Sequence, residues 1–274
     1  MSRATALKEE GNRHFSAGDY ASAEALYSKA ILADPENPAL YTNRAMARHK
    51  LGLWDLVISD CQACLALGPS NMKAHFYLAN AQLAIGDLDA ALASALEAHR
   101  LCALTNDKSL RQATALVGQC RKDRWELRER RRSREHAELE AEVLALLARE
   151  TQAALDAVAA HGGGELEHTV VREEGEAKMH AMRDVFERAR AQADRRREVP
   201  SWAVDDITFG IMVDPVITKN GKSYERAAII EHLRRHPSDP LTREPLQISD
   251  LRPNLGLRQA CDEFLEENGW AVDW

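Results

Sequence analysis

The sequence predicts a mainly helical chain in three parts: an array of paired short helices, a long charged helical hairpin, and a small α+β domain. Three observations carry this. Aromatics make up only 5% of the 274 residues while Ala, Leu, Glu and Arg abound, which is helix-forming composition and not the β-branched, aromatic richness of a sandwich. Small, bulky and glycine positions recur at a step of 34 through the first hundred residues. After Pro200 the texture changes to short mixed segments punctuated by Pro and Gly.

Composition excludes several classes of function. With 45% hydrophobic residues the chain can bury a core, and its length suits roughly two domains. Lys and Arg number 36 against 43 Asp and Glu, a net charge of -7, which argues against a nucleic-acid binder that must neutralise phosphates. There is no long apolar run, and MSRATALKEEGNRHF lacks the apolar core of a secretory signal, so a cytoplasmic or nuclear location with no membrane partner is expected. The cysteines (Cys61, Cys64, Cys102, Cys120, Cys261) are odd in number and scattered. They form no disulfide framework, and Cys61 and Cys64 read as small buried residues on a helix face, so no metal and no cofactor is expected.

The repeat is visible in five rows: Gly11, Ala45, Ala79; Gly18, Gly52, Gly86; Tyr20, Trp54, Leu88; Ala23, Val57, Ala91; and Ala30, Cys64, Ala98. Pro35 and Pro69 keep the same step. Each unit has a small residue where two helices approach, Gly at the turn, a bulky residue after it, and in the first two a Pro that stops the second helix. This pattern resembles the tetratricopeptide repeat, an α-solenoid in which stacked neighbours supply each other's core and the first helices line a concave groove.

Polar residues on those first helices define what the groove would bind. Lys8 and Asn12 stand four apart in the first unit, with Asn43 in the second and Lys73 in the third. Two ammonium groups and two amides converging on one groove suit carboxylates through charge-assisted hydrogen bonds. The words LKEEGNRHF, YTNRA and MKAHFYL are similar to the dicarboxylate clamps of tetratricopeptide co-chaperones. That resemblance implies that Lys8, Asn12, Asn43 and Lys73 grip the C-terminal Glu-Glu-Val-Asp tail of seventy- and ninety-kilodalton heat-shock chaperones. Phe76 and Tyr77 would offer an apolar wall to the Val. The acidic residue that completes the groove in that family has its counterpart at Gln112 or Asp107.

From Leu110 to Ala160 there is no Pro and one Gly, so one or two long helices are expected. Between Arg121 and Arg134 eight basic residues stand against three acidic ones, reading as a solvated helix face with mixed-sign pairs, a docked polyanion being the alternative. Leu139, Val143 and Leu146 form a narrow stripe. Gly162, Gly163 and Gly164 then turn the chain, since three glycines inside a helix would cost about 3 kcal/mol relative to alanine. A second helix follows with a seam of Met179, Met182, Phe186, Ala189 and Ala193, and Arg195, Arg196 and Arg197 before Pro200 mark the exit. A hairpin this thin is expected to homodimerise.

In the final segment Asp214-Pro215 and Asn220-Gly221 flank the β-prone Val216-Ile217-Thr218, which predicts a short hairpin. Glu225 to Arg235 reads as a helix with Ile229, Ile230 and Leu233 inward, and Leu255 to Glu267 as a final helix, with a long Pro-bounded loop between. DPVIT, NGKSYER, DPLTREPL and PNLGLR resemble the U-box, a RING-like ubiquitin-ligase fold in which hydrogen bonds and ion pairs replace zinc. One cysteine and two histidines, His232 and His236, are too few to hold two zinc ions, in keeping with that fold. The resemblance implies that Ile207, Phe209, Pro240 and Arg243 form the patch that binds a ubiquitin-charged conjugating enzyme. Arg243 would be a linchpin that positions the thioester without attacking it, and Cys261 and His232 would be structural.

Repeats over 1–104, a dimerising hairpin over 105–199 and a U-box over 200–274 follow the order of chaperone-dependent ubiquitin ligases of the CHIP type, a likeness spanning the whole chain. The family implies an enzyme that directs ubiquitin to lysines of a chaperone or its misfolded client for quality control. A scaffold that only bridges chaperones, and a ligase whose groove reads a different acidic C-terminus, are the alternatives.

Overall fold

The computed structural model describes the backbone of residues 2–193 and 198–274. The expected exit run Arg195 to Arg197 and the Ala193 seam position lie outside the described side chains.

Six helices alternate in antiparallel pairs: α1 (Arg3–Ser16), α2 (Tyr20–Ala33), α3 (Pro38–Lys50), α4 (Trp54–Leu67), α5 (Met72–Ile85) and α6 (Leu88–Thr105). The 34-residue register is physical at every row. Gly18, Gly52 and Gly86, at the ends of the first helices, all have left-handed backbone, with φ of 83°, 72° and 83°, a conformation glycine reaches without a Cβ penalty. Ala23, Val57 and Ala91, like Ala30, Cys64 and Ala98, have no exposed surface. The Pro rows work as expected, since α2 ends at Ala33 and α4 at Leu67 before Pro35 and Pro69. The third unit has Ala103 in that place, and α6 runs on to Thr105.

Between the first two units lies a half-buried ion network. Arg44 donates to both oxygens of Asp60, Arg48 reaches the same carboxylate at 2.9 Å and Glu24 at 2.6 Å, and Asp60 is almost fully buried. A carboxylate so deep is tolerable because two guanidiniums satisfy it.

After a short turn the chain enters one 51-residue helix, α7 (Leu110–Ala160), which belongs to two compact units: residues 1–126 with 200–274, and residues 127–199. The segment expected as one hairpin domain from 105 is therefore divided. Its first turns bury Leu110, Ala113, Leu116, Val117 and Cys120, and Leu110 and Ala113 share a core with Val216, Tyr224 and Ile230 of the C-terminal segment. Burial against that segment holds this part of α7 in the first unit.

The second unit is the hairpin of α7 and α8 (Glu165–Ala193), joined at Gly162 with φ of 73°. The α7 seam differs from expectation. Leu139 and Leu146 are more than half exposed, whereas Val143, Leu144, Leu147, Thr151, Leu155 and Val158 are half-buried. Consecutive leucines give α7 two nearly equivalent stripes, and the close crossing chooses between them: Gly175 of α8 is buried, and a Cβ there would collide with Thr151. Met179, Met182 and Phe186 are half-buried as expected, while Ala189 is exposed.

Residues 200–274 carry a three-stranded antiparallel sheet in the order β2-β1-β3, made of β1 (Pro215–Ile217), β2 (Ser223–Glu225) and β3 (Arg252–Pro253). Val216 faces Tyr224 on one side and Pro253 on the other. The helices α9 (Arg226–Arg235) and α10 (Leu255–Glu267) pack with it, and Ile229, Ile230 and Leu233 point inward as the sequence predicts. The third strand, two residues long, had no sequence signal.

Three of the basic residues at the start of the charged run are not simply solvated. Arg121 pairs with Asp262, Lys122 with Asp273, and Arg124 with both Glu266 and Asp89. They tie α7 to α10 and the following turn. Further along, Arg131 with Glu135 and Arg132 with Glu129 are the expected mixed-sign pairs.

Candidate functional site

The repeats bring the first two clamp amides together. Asn12 of α1 is reached by Asn43 of α3, whose Nδ2 donates to Asn12 Oδ1 at 3.2 Å. The same oxygen accepts from the hydroxyl of Tyr27 at 2.8 Å. Tyr27 is buried against α1 at Gly11, so a core side chain fixes the amide's orientation. With Oδ1 occupied, the Nδ2 donors of Asn12 are left for a ligand. Tyr27 is a positioning residue that the repeat rows did not expose, because it lies on the second helix of its unit.

Lys8 stands one turn before Asn12 on α1, half-buried, and Lys73 is exposed on α5. Neither has an ion-pair partner among the described residues. Of the two candidates for the groove's acid, Asp107 lies near Lys73. Its carboxyl is held below the usual range first by hydrogen bonds from Ser109 and then by the charges of Lys73 and Arg234. Gln112 is exposed on α7 beside the α9 face. Phe76 and Tyr77 are both half-buried, Phe76 against Ala79, Ala91 and Ala95, Tyr77 against the cluster around Cys61.

The second candidate site consists of two loops with the same hydrogen-bond plan. In the first, the Phe209 amide donates to Asp205 O (2.8 Å), the Asp205 amide to Gly210 O (2.9 Å), and the Thr208 amide to the Asp205 carboxylate (2.8 Å). In the second, Arg243 donates to Asp239 O (2.9 Å), Asp239 to Glu244 O (2.8 Å), and Thr242 to the Asp239 carboxylate (3.1 Å). Both carboxylates are buried, and both are pinned to β2: Asp205 accepts from the Glu225 amide at 2.8 Å and Asp239 from the Tyr224 hydroxyl at 3.1 Å. Adjacent residues of one strand thus set the spacing of the two loops.

The loops present Phe209, 73% exposed, together with exposed Leu241 and Arg243. Pro240 is half-buried, and Ile207 packs partly against the core beneath. An exposed phenyl ring on one loop and an exposed leucine on the other, both loops pinned to one strand, are apolar surface that gains by being covered. The anchors Asp205, Asp239 and Tyr224 were not identified from the sequence, and neither was Leu241. Buried acids whose partners lie on another strand carry no local pattern.

The cysteines are not built as nucleophiles. All five cysteines are buried, and burial pushes the thiols of Cys61 and Cys120 up to about 12 and those of Cys102 and Cys261 up to about 11. Such thiols are unreactive near neutral pH. His232 has its Nε2 3.0 Å from the carbonyl of Ser238, a structural contact. Among the described residues no group of side chains is arranged to hold a metal ion, and no helix is long and apolar enough to cross a membrane.

Both ends of the chain match known families. The U-box domain family matches residues 199–270 and the TPR repeat family matches residues 11–52. The chain is 33% identical to the E3 ubiquitin-protein ligase CHIP of Arabidopsis thaliana over 269 residues, 97% of this chain and 94% of that protein. It is 40% identical over 89 residues to human RNA polymerase II-associated protein 3, covering 32% of this chain and 13% of that one. A solved structure described as the first TPR of Spaghetti (RPAP3) bound to HSP90 peptide SRMEEVD is 36% identical, covers 40% of this chain and 90% of its own, and has a TM-score of 0.37. With repeats, long helix and U-box in this order along nearly its whole length, the chain belongs to the CHIP family of U-box E3 ubiquitin ligases.

Proposed function

We propose that this ligase docks the C-terminal Glu-Glu-Val-Asp tails of seventy- and ninety-kilodalton heat-shock chaperones in the groove of its repeats. It then directs ubiquitin to lysines of the chaperone or its misfolded client. The observation that carries the docking step is the Tyr27, Asn12, Asn43 arrangement, with Lys8 one turn away on α1 and no ion-pair partner for Lys8 or Lys73 among the described residues. Fixed amide donors and unpaired ammonium groups bind a terminal carboxylate and an Asp side chain with little reorganisation. Phe76 and Tyr77 cover the Val, and Asp107 sets the local field at Lys73.

At the other end, a ubiquitin-charged conjugating enzyme sits on Ile207, Phe209 and Pro240. Arg243 bridges enzyme and ubiquitin through its guanidinium donors and holds the thioester in a reactive conformation. The substrate lysine attacks the thioester carbonyl directly, and the conjugating-enzyme thiol leaves. Ubiquitin is never carried on this chain, in keeping with its buried, high-pKa cysteines. The hairpin pairs two copies, and its exposed Leu139, Leu146, Leu166 and Val185 supply the apolar surface.

The test is calorimetric titration of a peptide ending Glu-Glu-Val-Asp into the full chain, with the amidated peptide as the carboxylate control. Micromolar binding, about -8 kcal/mol, should vanish with the amidated peptide and in Lys8→Ala. Tyr27→Phe, which frees the Asn12 amide to rotate, should weaken binding several-fold. Equal binding of the free and amidated peptides would reject the clamp.

A further inference from the structure

A cleft of about 520 Å³ opens between α6, the start of α7 and the C-terminal domain, away from the peptide groove and the two loops. Five basic side chains line it: His99, Arg100, Arg121, Arg226 and Arg258. Three carboxylates occupy three of the guanidiniums, Glu97 on Arg100, Asp262 on Arg121 and Asp214 on Arg226. Arg258 has no ion-pair partner among the described residues.

Among the described residues, two polar nitrogens here are buried with no partner, Arg121 Nη1 and His99 Nε2. Their side chains are only 9% and 7% exposed. Burial, together with the charges of Arg226, Arg258 and Arg121, drives the imidazole of His99 toward its neutral form against the pull of Asp214. Four fixed positive charges against three negative ones, with two donor-bearing groups left unsatisfied, is an arrangement that lacks an anion. The rim is apolar: Leu96 is 40% exposed, Leu104 68% and Leu255 69%. A cleft of this size exceeds a bare inorganic ion and falls within the range of small-molecule sites.

We propose that this cleft binds a small organic phosphate, with the phosphoryl group held by Arg121, Arg258 and His99 and the apolar body lying on Leu96, Leu104 and Leu255. A phosphate monoester matches the donors because its three oxygens accept from guanidinium forks and from an imidazole N–H at once. The ligand would touch both the repeats and the C-terminal domain and so brace one against the other.

Phenyl phosphate titrated into the full chain, with the peptide groove saturated by Glu-Glu-Val-Asp peptide, tests this by calorimetry. The expected result is sub-millimolar binding, at least tenfold weaker for inorganic phosphate and for benzoate, and at least tenfold weaker in Arg258→Ala. Arg258 is exposed and has no ion-pair partner among the described residues, so its removal should leave the fold intact. The ring signals of His99, followed by NMR, should shift on addition of phenyl phosphate and stay put in Arg258→Ala at the same concentration. No binding at 10 mM on the order of which millimolar sites saturate, undiminished binding in Arg258→Ala, or inorganic phosphate binding as tightly as the ester would each overturn the proposal.

Discussion

Phe209 and Arg243 occupy the same position of one turn built twice. Each is the fourth residue after a buried Asp whose carbonyl accepts its amide, and each has left-handed backbone, with φ of 59° and 61°. Non-glycine residues pay about 1 kcal/mol for that conformation, and here the cost falls on two of the residues proposed above to bind a conjugating enzyme. The pairing of Asp205 with Glu225 and of Asp239 with Tyr224 puts both turns on β2, so the patch is a rigid feature of the sheet.

Replacing Arg243 by Gly separates chemistry from folding. Glycine tolerates the left-handed backbone, so Arg243→Gly should unfold within about 1 kcal/mol of the wild type. Discharge of ubiquitin from its conjugating enzyme to free lysine should fall at least tenfold. Full discharge by a folded Arg243→Gly protein would remove the linchpin role.

The repeat itself predicts a stabilising change. Asp19 and Asp87 cap α2 and α6 by accepting from Ser22 N (3.1 Å) and Ala90 N (3.3 Å). Leu53 holds the equivalent place before α4, with φ -87° and ψ 66° against -84° and 76° at Asp19, and makes no cap. Leu53 is 42% exposed, so little burial is lost in Leu53→Asp. The variant should gain about 1 kcal/mol in denaturant unfolding; an unchanged or lower midpoint would show that its apolar contacts outweigh the cap.

Glu225 gives the domain a pH dependence of unusual sign. Its Oε2 accepts from Val213 N (2.7 Å) and Asp214 N (2.9 Å), Oε1 is unpaired, and burial pushes the carboxyl up to about 7 from 4.5. Between those values the native state keeps a proton the unfolded chain has released, so this group's contribution falls as pH rises through the window and stays low above it. The full change is on the order of 3 kcal/mol at most. Glu225→Gln should therefore gain stability relative to wild type on going from pH 5 to pH 8. Unfolding curves for the two proteins that shift in parallel with pH would contradict the assignment.

Legibility followed the range of the interactions. The glycine row 18, 52, 86 was readable because helix termination is local and repeats itself. The hairpin strand expected over Val216 to Thr218, observed one residue earlier at Pro215–Ile217, and the helix Leu255–Glu267 were readable for the same reason, each bounded by its own turn or cap residues. The α7 seam was misread because Leu139, Leu144, Leu146 and Leu147 satisfy two stripes, and only the approach of Gly175 to Thr151 decides between them. Asp205, Asp239 and Glu225 were invisible because a buried acid is explained by its partner, and these partners lie 15 to 20 residues away or satisfy it through backbone amides. The basic run from Arg121 gave its charge in sequence but not its carboxylates on α10, over 140 positions distant.

The central claim is that docking a chaperone tail and transferring ubiquitin are separate acts of one chain. It is tested most directly by measuring ubiquitination of a substrate bearing a C-terminal Glu-Glu-Val-Asp tail with wild type, Lys8→Ala and Arg243→Gly, alongside discharge to free lysine. Lys8→Ala should lose at least tenfold on the tailed substrate and keep full discharge to free lysine, whereas Arg243→Gly should lose both. A Lys8→Ala protein that modifies the tailed substrate as fast as wild type would contradict the account.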